Sequence, residues 1–269
     1  MSHHSSGNAK RIPAIGIDVG GTGIKGAGVD PATGERLTKR HRVETPQGGA
    51  PDAIAAAVAA MVAGIRDELA ERELLDRTLV PKIGVTLPGV VQRGIMRTAA
   101  NIDKRWIDTD AEALLTAAVG APCLVVNDAD AAGMAETEFG AARGQHGVTM
   151  VLTFGTGIGT ALIHDGRLVP NFELGHLQLN GQLDYERFAS PKNIEREGIT
   201  IADWAARVAP YLAHLEFVCR PDLFVIGGSI SKSSDEYLPF EHVTTPVVPA
   251  HFRNNAGIVG AAALAAAAG

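Results

Sequence analysis

Ile15-Gly-Ile-Asp18-Val-Gly-Gly-Thr-Gly-Ile-Lys25-Gly-Ala-Gly28 decides how the chain is read. An apolar run closes on a carboxylate, Asp18, and a cluster of glycines around Thr22 follows. Alternation resumes at Ile24, Ala27 and Val29, so the pattern predicts strand, tight turn and returning strand. A glycine turn lets backbone N–H groups approach an anion closely, because no Cβ intervenes. An aspartate at its mouth can hold a hydrated divalent cation over the same phosphates.

Gly21, Gly23 and Gly26 also satisfy the spacing of the dinucleotide fingerprint, but that motif needs a helix to start inside it. Here Ile24–Val29 leads to Asp30-Pro-Ala-Thr-Gly34, a turn, so the dinucleotide reading is rejected. No Gly-Lys-Ser/Thr closes the loop, so it is not a Walker loop either.

With 269 residues, 46% hydrophobic and 20% charged, the chain suits a large domain or two modest lobes around a cleft. The net charge of −6 argues against general nucleic-acid binding, and a polyanionic ligand would need a local basic patch. The two cysteines, Cys123 and Cys219, sit in apolar runs without C-x-x-C spacing and read as buried reduced thiols. Met1–Lys10 is polar and non-periodic and is set aside as a tail or tag remnant. No apolar run reaches the length of a membrane span and no signal segment is evident, so a cytoplasmic protein without a membrane partner is expected.

Along the chain, a hairpin over Ile12–Val29 is followed by a strand over Arg36–Glu44 and a long helix capped by Asp52. Ile54, Val58, Met61, Val62, Ile65 and Leu69 recur there at helical spacing. Lys82–Leu87 reads as a buried strand, Asp108 or Thr109 as the start of a helix to Val119, and Cys123–Val126 as another buried strand. Asp128 or Asp130, of which Asp130 reads as the purer cap, opens a helix to Phe139. The opening pattern then recurs as Val148–Phe154, Gly155-Thr156-Gly157 and Ile158–Ile163. This weak internal repeat predicts two similar lobes. Asn180–Gly198 reads as irregular. A helix through Trp204 to Val218, a strand over Asp222–Ile226 and an alanine-rich closing helix complete an α/β chain. The division expected is a small lobe over 12–126, completed by the C-terminal helix 256–269, and a large lobe over 127–255.

Strand ends carry small or polar residues at Asp18–Gly23, Leu87–Gly89, Asn127–Asp130, Gly155–Gly157 and Gly227–Ser229. In open α/β sheets ligands sit beyond such ends. Asp18-Val-Gly-Gly-Thr-Gly-Ile-Lys25, Leu87-Pro-Gly89, Asn127-Asp-Ala-Asp130, Leu152-Thr-Phe-Gly-Thr-Gly-Ile-Gly159 and Glu173-Leu-Gly-His176 stand in the order found in the repressor–open-reading-frame–kinase (ROK) sugar kinases, and the chain resembles that family from Ile15 to its end. Ala99-Ala-Asn101-Ile-Asp-Lys104, Trp106, Ser229-Ile-Ser-Lys232 and Pro246-Val-Val-Pro249 resemble its polyphosphate-using branch.

The resemblance implies an actin/hexokinase-like (ribonuclease H-like) two-lobed fold with a central cleft, and a kinase that phosphorylates the 6-hydroxyl of glucose from polyphosphate, ATP or both. It implies Asp128 as general base, with Gly89, Asn101, Asn127, Glu173 and His176 binding the sugar. Gly20, Gly21, Thr22, Gly23, Gly155, Thr156 and Gly157 would cradle phosphates, with Lys25 counted among them although alone it reads as solvated. Gly227 and Gly228 would border the nucleotide, Asp18 would stand near Mg²⁺, and a homodimer is expected. A hydroxyl is a poor nucleophile at neutral pH, so a positioned carboxylate helps it; the remainder of phosphoryl transfer is positioning and charge neutralisation.

Many members of the family hold structural zinc through a histidine followed by clustered cysteines. After His176 no cysteine occurs until Cys219, so zinc is not expected. Candidate cations for a polyphosphate chain are Arg93, Arg97, Lys104, Arg105, Lys192, Arg196 and Lys232. The segment around Tyr185–Pro191 departs from the family pattern and leaves a sugar contact from Glu186 in doubt. Other readings are a kinase for mannose, fructose or an N-acetylhexosamine, a non-catalytic sugar-binding module, and a regulator. The last would require a DNA-reading module ahead of Ile15, which is not expected.

Overall fold

The computed structural model describes residues 12–268; the Met1–Lys10 stretch and Gly269 lie outside the described residues. The first half builds β1 (Ala14–Val19), β2 (Gly23–Val29), β3 (His41–Glu44), α1 (Pro51–Glu71), β4 (Lys82–Leu87), a ribbon of β5 (Val91–Gln92) and β6 (Ile95–Met96), α2 (Ala111–Val119) and β7 (Cys123–Asn127). The second half builds α3 (Asp128–Phe139), β8 (Val148–Phe154), β9 (Ile158–His164), β10 (Arg167–Val169), α4 (Tyr185–Ala189), α5 (Lys192–Glu197), α6 (Ile201–Cys219), β11 (Leu223–Gly228), β12 (Val247–Pro249) and α7 (Ala256–Ala267).

Two five-stranded sheets result, ordered β3-β2-β1-β4-β7 and β10-β9-β8-β11-β12. In each, a hairpin opens the sheet, its third strand joins antiparallel, and two later strands add in parallel on the other side. The doubled topology confirms the internal repeat. Each sheet has its own core. Ile54, Val58, Ile65 and Leu69 of α1 pack on Ile15, Ile17, Val85 and neighbours. Trp204, Val208, Leu212 and Leu215 of α6 pack on Phe154, Phe224 and Ile226. Burial of these apolar side chains is the main force assembling each half.

Between the sheets lie α3, packed on β8 and β9, and α7, packed on β1 and β4; the two helices also pack on each other. Small residues permit this sandwich. A Cβ on Gly16 would stand 1.8 Å from the Ile258 carbonyl oxygen, and one on Gly84 would stand 1.9 Å from that of Ala261. On the other side of α7, a Cβ on Gly260 would stand 1.7 Å from the Ala131 carbonyl oxygen of α3.

Several local expectations are corrected. The third strand is short, and Arg36 makes an isolated bridge to Val29. α1 starts at Pro51, whose missing N–H costs nothing at a helix start, and Asp52 lies in the first turn rather than at the cap. α2 is capped by Asp110, whose side chain accepts from the Ala113 N–H, rather than beginning at Asp108 or Thr109. α3 is capped by Asn127, neither by Asp128 nor by Asp130. The segment expected to be irregular contains α4 and α5, anchored by buried Tyr185, Ser190 and Asn193. Cys123 is buried but Cys219 only partly so, and both are free thiols.

Candidate functional site

The start of α3 gathers the ends of two strands, β7 directly through Asn127 and β4 through Gly89. Asn127 Oδ1 accepts from the backbone N–H groups of Ala129 at 2.8 Å and Asp130 at 3.0 Å, satisfying two orphan donors of the first turn. Its Nδ2 donates to the Gly89 carbonyl at 3.0 Å, which ties the loop after β4 to the helix. With the cap assigned to Asn127, the Asp128 carboxylate makes one short-range bond, from the Ala129 N–H at 3.0 Å.

Asp128 is exposed to solvent as the first residue of α3, yet the protein around it desolvates its carboxyl group. Its pKa is pushed up to about 7, first by desolvation and then by the charge of Asp18, with Glu173 adding to it. One carboxylate from each half is thus felt by Asp128, Asp18 near the end of β1 and Glu173 in the loop after β10. A carboxyl group that titrates near neutrality is suited to take up a proton from a hydroxyl.

The first glycine turn is closed by a bond from the Gly20 N–H to the Gly23 carbonyl at 3.1 Å, and the Thr45 hydroxyl donates to the Gly20 carbonyl. Asn101, in a left-handed conformation, packs against it: a Cβ on Gly21 would stand 2.7 Å from the Asn101 carbonyl oxygen. Thr22 lies exposed at the tip of this turn. Asp18 Oδ1 accepts from the Thr86 hydroxyl at 3.0 Å and Oδ2 from Lys25 Nζ at 3.2 Å. Lys25 is therefore an ion-pair partner, partly buried, and not simply solvated.

The second turn is closed by a bond from the Gly155 N–H to the Gly157 carbonyl at 3.0 Å. The Ser190 hydroxyl lies within 3.0 Å of both the Gly155 and the Thr156 carbonyl oxygens, and Glu186 Oε2 accepts from the Ile158 N–H at 3.1 Å. So α4 and the residue after it buttress this turn. Gly228, at φ +83°, crosses the end of β8 so closely that a Cβ there would stand 1.9 Å from the Phe154 carbonyl oxygen. Gly227 precedes it in β11 and pairs with Thr153. Ser190→Ala removes the clasp on the second turn and is expected to cost about 1 kcal/mol of stability, the effect of one lost hydrogen bond. Denaturant melting of the two proteins checks this.

Glu173 and His176 flank a short turn whose Gly175 lies against β9, where a Cβ would stand 2.3 Å from the Ile158 carbonyl oxygen. His176 Nδ1 lies 3.0 Å from Asp184 Oδ1, and its Nε2 lies 3.6 Å from Glu173 Oε2. The hydrogen bond to Asp184 raises the pKa of His176. Burial raises that of Glu173, while His176 opposes the shift. His176, Asp184 and Glu186 bring one ligand atom each within 4.8 Å of one another. Asp184 also pairs with Arg187, and the group supplies no thiolate. Cavities of about 340 Å³ beside Phe139 and Arg253, and about 820 Å³ between α6 and the Tyr237–His242 segment, lie away from this constellation.

The picked residues thus fall into local groups: Asp18, Lys25 and Asn101 by the first turn, Gly89 and Asn127 at the start of α3, and Gly227 and Gly228 beside the strand that leads into the second turn. Four of the basic residues named for a polyphosphate chain have partners of their own. Arg97 is paired with Asp108, Arg105 with Asp103 and Arg196 with Glu197, while Lys104 donates to the Ala99 carbonyl. Sequence reading missed Thr86, Ser190 and Asn171. Thr86 carried a signal, a polar residue inside the apolar run of β4, whereas Ser190 carried none. Asp130, expected to be a cap, instead accepts from the Asn171 N–H at 3.0 Å, and Asn171 bridges on to Val91 with bonds of 3.0 and 2.9 Å.

Two repeated α/β halves, each with a glycine turn between its first two strands, define the class: the actin/hexokinase-like kinases. The ROK family model matches residues 14–191, and the chain belongs to that family. It is 45% identical to the polyphosphate glucokinase of Mycobacterium tuberculosis over 92% of this chain and 89% of that protein. The crystal structure of an inorganic polyphosphate/ATP-glucomannokinase from Arthrobacter sp. strain KM superposes with a TM-score of 0.87 at 49% identity, covering 96% of this chain and 100% of that one. A ROK family glucokinase from Streptomyces griseus, solved with glucose and AMPPNP, superposes with a TM-score of 0.74 at 26% identity, covering 95% and 99%.

Proposed function

We propose that the chain is a glucokinase that transfers a phosphoryl group from polyphosphate or ATP to the 6-hydroxyl of glucose. The observation that carries this reading is Asp128, released from capping by Asn127 and set at the start of α3 with a pKa near neutrality. Its relatives carry polyphosphate and glucose in their names, which supports the donor and the acceptor. Mannose is the second acceptor to test, because the Arthrobacter protein is a glucomannokinase.

In this reading Asp128 takes the proton of the attacking hydroxyl late in the transfer. Glu173, His176, Asn101 and the remaining N–H of Asn127 orient the other hydroxyls, and a site built to bond each one rejects analogues that lack it. The two glycine turns bind the donor phosphates through backbone N–H groups. Asp18 fits a magnesium site. It is a partly buried oxygen donor beside the glycine turn, and Mg²⁺ keeps its waters and needs few protein ligands; Lys25 would yield Oδ2 to the ion. When bound, the ion neutralises charge on the donor phosphates. Gly227 and Gly228 border the nucleotide when ATP is used.

The reading extends to two moving lobes, 12–126 with 256–269 and 127–255, which close on sugar and exclude water. It also extends to a cytoplasmic homodimer, which the mass in solution tests. No helix among the described residues is long and apolar enough to cross a membrane.

Purified chain supplied with glucose and either donor is expected to form glucose 6-phosphate; sugar binding without any phosphorylated product overturns the proposal. The pH profile is a further expectation. The ionised form of Asp128 is the base, so kcat/KM for glucose rises with pH and levels off above about 7. An acidic limb near pH 4 excludes Asp128 as the titrating base.

A further inference from the structure

One polar rung crosses most of the first sheet at the level of the glycine turn. In register it runs Thr86 on β4, Asp18 on β1, Lys25 on β2 and Arg42 on β3. Side chains paired across neighbouring strands share a face, and here that face is the one on which Gly16 and Gly84 receive α7. The inner three members bond to one another, Thr86 and Lys25 both donating to Asp18. Arg42 is the outermost. It is exposed and makes no hydrogen bond or ion pair among the described residues. Its guanidinium folds back over the glycine turn: a Cβ on Gly23 would stand 3.3 Å from Nε and 3.7 Å from Nη2. A side chain at position 23 would press on the guanidinium, which would have to give by a few tenths of an ångström.

The strand that carries Arg42 is fastened on both sides. His41 Nε2 lies 2.8 Å from Glu68 Oε2, the Lys39 N–H donates to Glu68 Oε1 at 3.0 Å, and the Thr45 hydroxyl donates to the Gly20 carbonyl. The backbone at Arg42 is thus fixed beside the first glycine turn, while its guanidinium stays free to meet a ligand. Glu44 shares its face and does not pair with it. β3 is also the edge strand of its sheet, so an extended ligand passing over Arg42 leads outward to solvent.

We propose that Arg42, with Lys25 behind it, binds the phosphates of a polyphosphate donor beyond the one transferred, and so sets the preference for polyphosphate over ATP. This rests on the polyphosphate reading above. A guanidinium matches phosphate oxygens in a two-point contact and keeps its charge at every working pH. With Lys25 offset by Asp18, the rung keeps one net positive charge, and Arg42 presents it at the exposed edge, where a net charge of −6 otherwise disfavours a polyanion. The two donors part here. A nucleoside leads toward Gly227 and Gly228 in the second half, and a polyphosphate chain leads along β3 in the first.

The test compares the parent, Arg42→Ala and Arg42→Lys with long-chain polyphosphate, tripolyphosphate and ATP. Arg42→Ala is expected to raise the KM for long-chain polyphosphate about tenfold, the value of one charge-assisted contact. The rise is smaller for tripolyphosphate and smallest for ATP, and the KM for glucose does not move. Arg42→Lys restores part of the loss. The thermal shift produced by long-chain polyphosphate without sugar shrinks in Arg42→Ala, which reads binding without catalysis. A polyphosphate KM unchanged in Arg42→Ala, or one raised equally for polyphosphate and ATP, overturns the inference and leaves the kinase reading standing. A parent protein that uses ATP and not polyphosphate ends the donor reading itself, and this inference with it.

Discussion

Asp128→Asn is expected to lower turnover about a thousandfold with either donor, within the range that a positioned general base contributes. The amide has nearly the same shape, so glucose binding persists and the loss appears in kcat rather than in the Kd for sugar. Isothermal titration of glucose beside a product assay separates the two. A variant retaining a tenth of the parent rate removes Asp128 from the role of base.

The same substitution has an expected thermal signature that a misfolded variant cannot imitate. The pKa of Asp128 is near 7 in the folded chain, above the value of about 4 of an ordinary aspartate. Between those two values the folded state keeps a proton that the unfolded state has lost. The stabilising contribution is therefore present at low pH and disappears as pH rises through about 7. Asparagine has no such proton, so Asp128→Asn melts above the parent at pH 8, and the gap closes toward pH 4. A melting point lower than the parent's at pH 8 means that burial does not strain this carboxylate.

Gly260→Ala is expected to be the most damaging single methyl group in the fold. Its Cβ would stand 1.7 Å from the Ala131 carbonyl oxygen and 2.4 Å from the carbonyl carbon, both backbone atoms of α3. Neither helix can yield alone, because α7 is already held on Gly16 and Gly84 and α3 on β9. Overpacking of this kind costs about 3 kcal/mol, a fall of roughly 6–12 °C in Tm for a chain of this size. Activity falls with it, since α3 carries Asp128 at its first turn. Gly64→Ala in α1 is the matched control: open space surrounds that position, and removing a helix-interior glycine stabilises by about 0.5–1 kcal/mol. A Gly260→Ala variant as stable as the parent refutes the close crossing of the two helices.

The glycine turns, the carboxylates beside them and the repeated strand pattern were legible in the sequence because each is a local requirement. A tight turn near an anion needs glycine, a buried strand needs an apolar run, and Asn-Asp at a strand end is short range in its effect. The cap of α3 was misread for the same reason. Asn127, Asp128 and Asp130 are all competent caps, and local chemistry does not rank them. What ranked them was a contact with Gly89, 38 residues away, which fixes the Asn127 side chain over the helix start and leaves Asp128 to the cleft.

The segment around Tyr185–Ser190 looked irregular because its short helices owe their stability to Tyr185 and Asn193 inside a distant core, and short helices carry little periodicity of their own. The basic residues nearest the sugar motif in sequence proved to be paired with neighbours, while Arg42, remote in sequence, came to lie over Gly23. Strand register decides that placement, and register follows from which apolar faces are buried together. The sequence alone thus determined the chemistry that the chain can offer and the doubled architecture, through spacing and composition. Only the tertiary structure decided which carboxylate is left unspent, which cation lies over the first glycine turn and where α3 crosses α7, because each depends on groups brought together from distant parts of the chain.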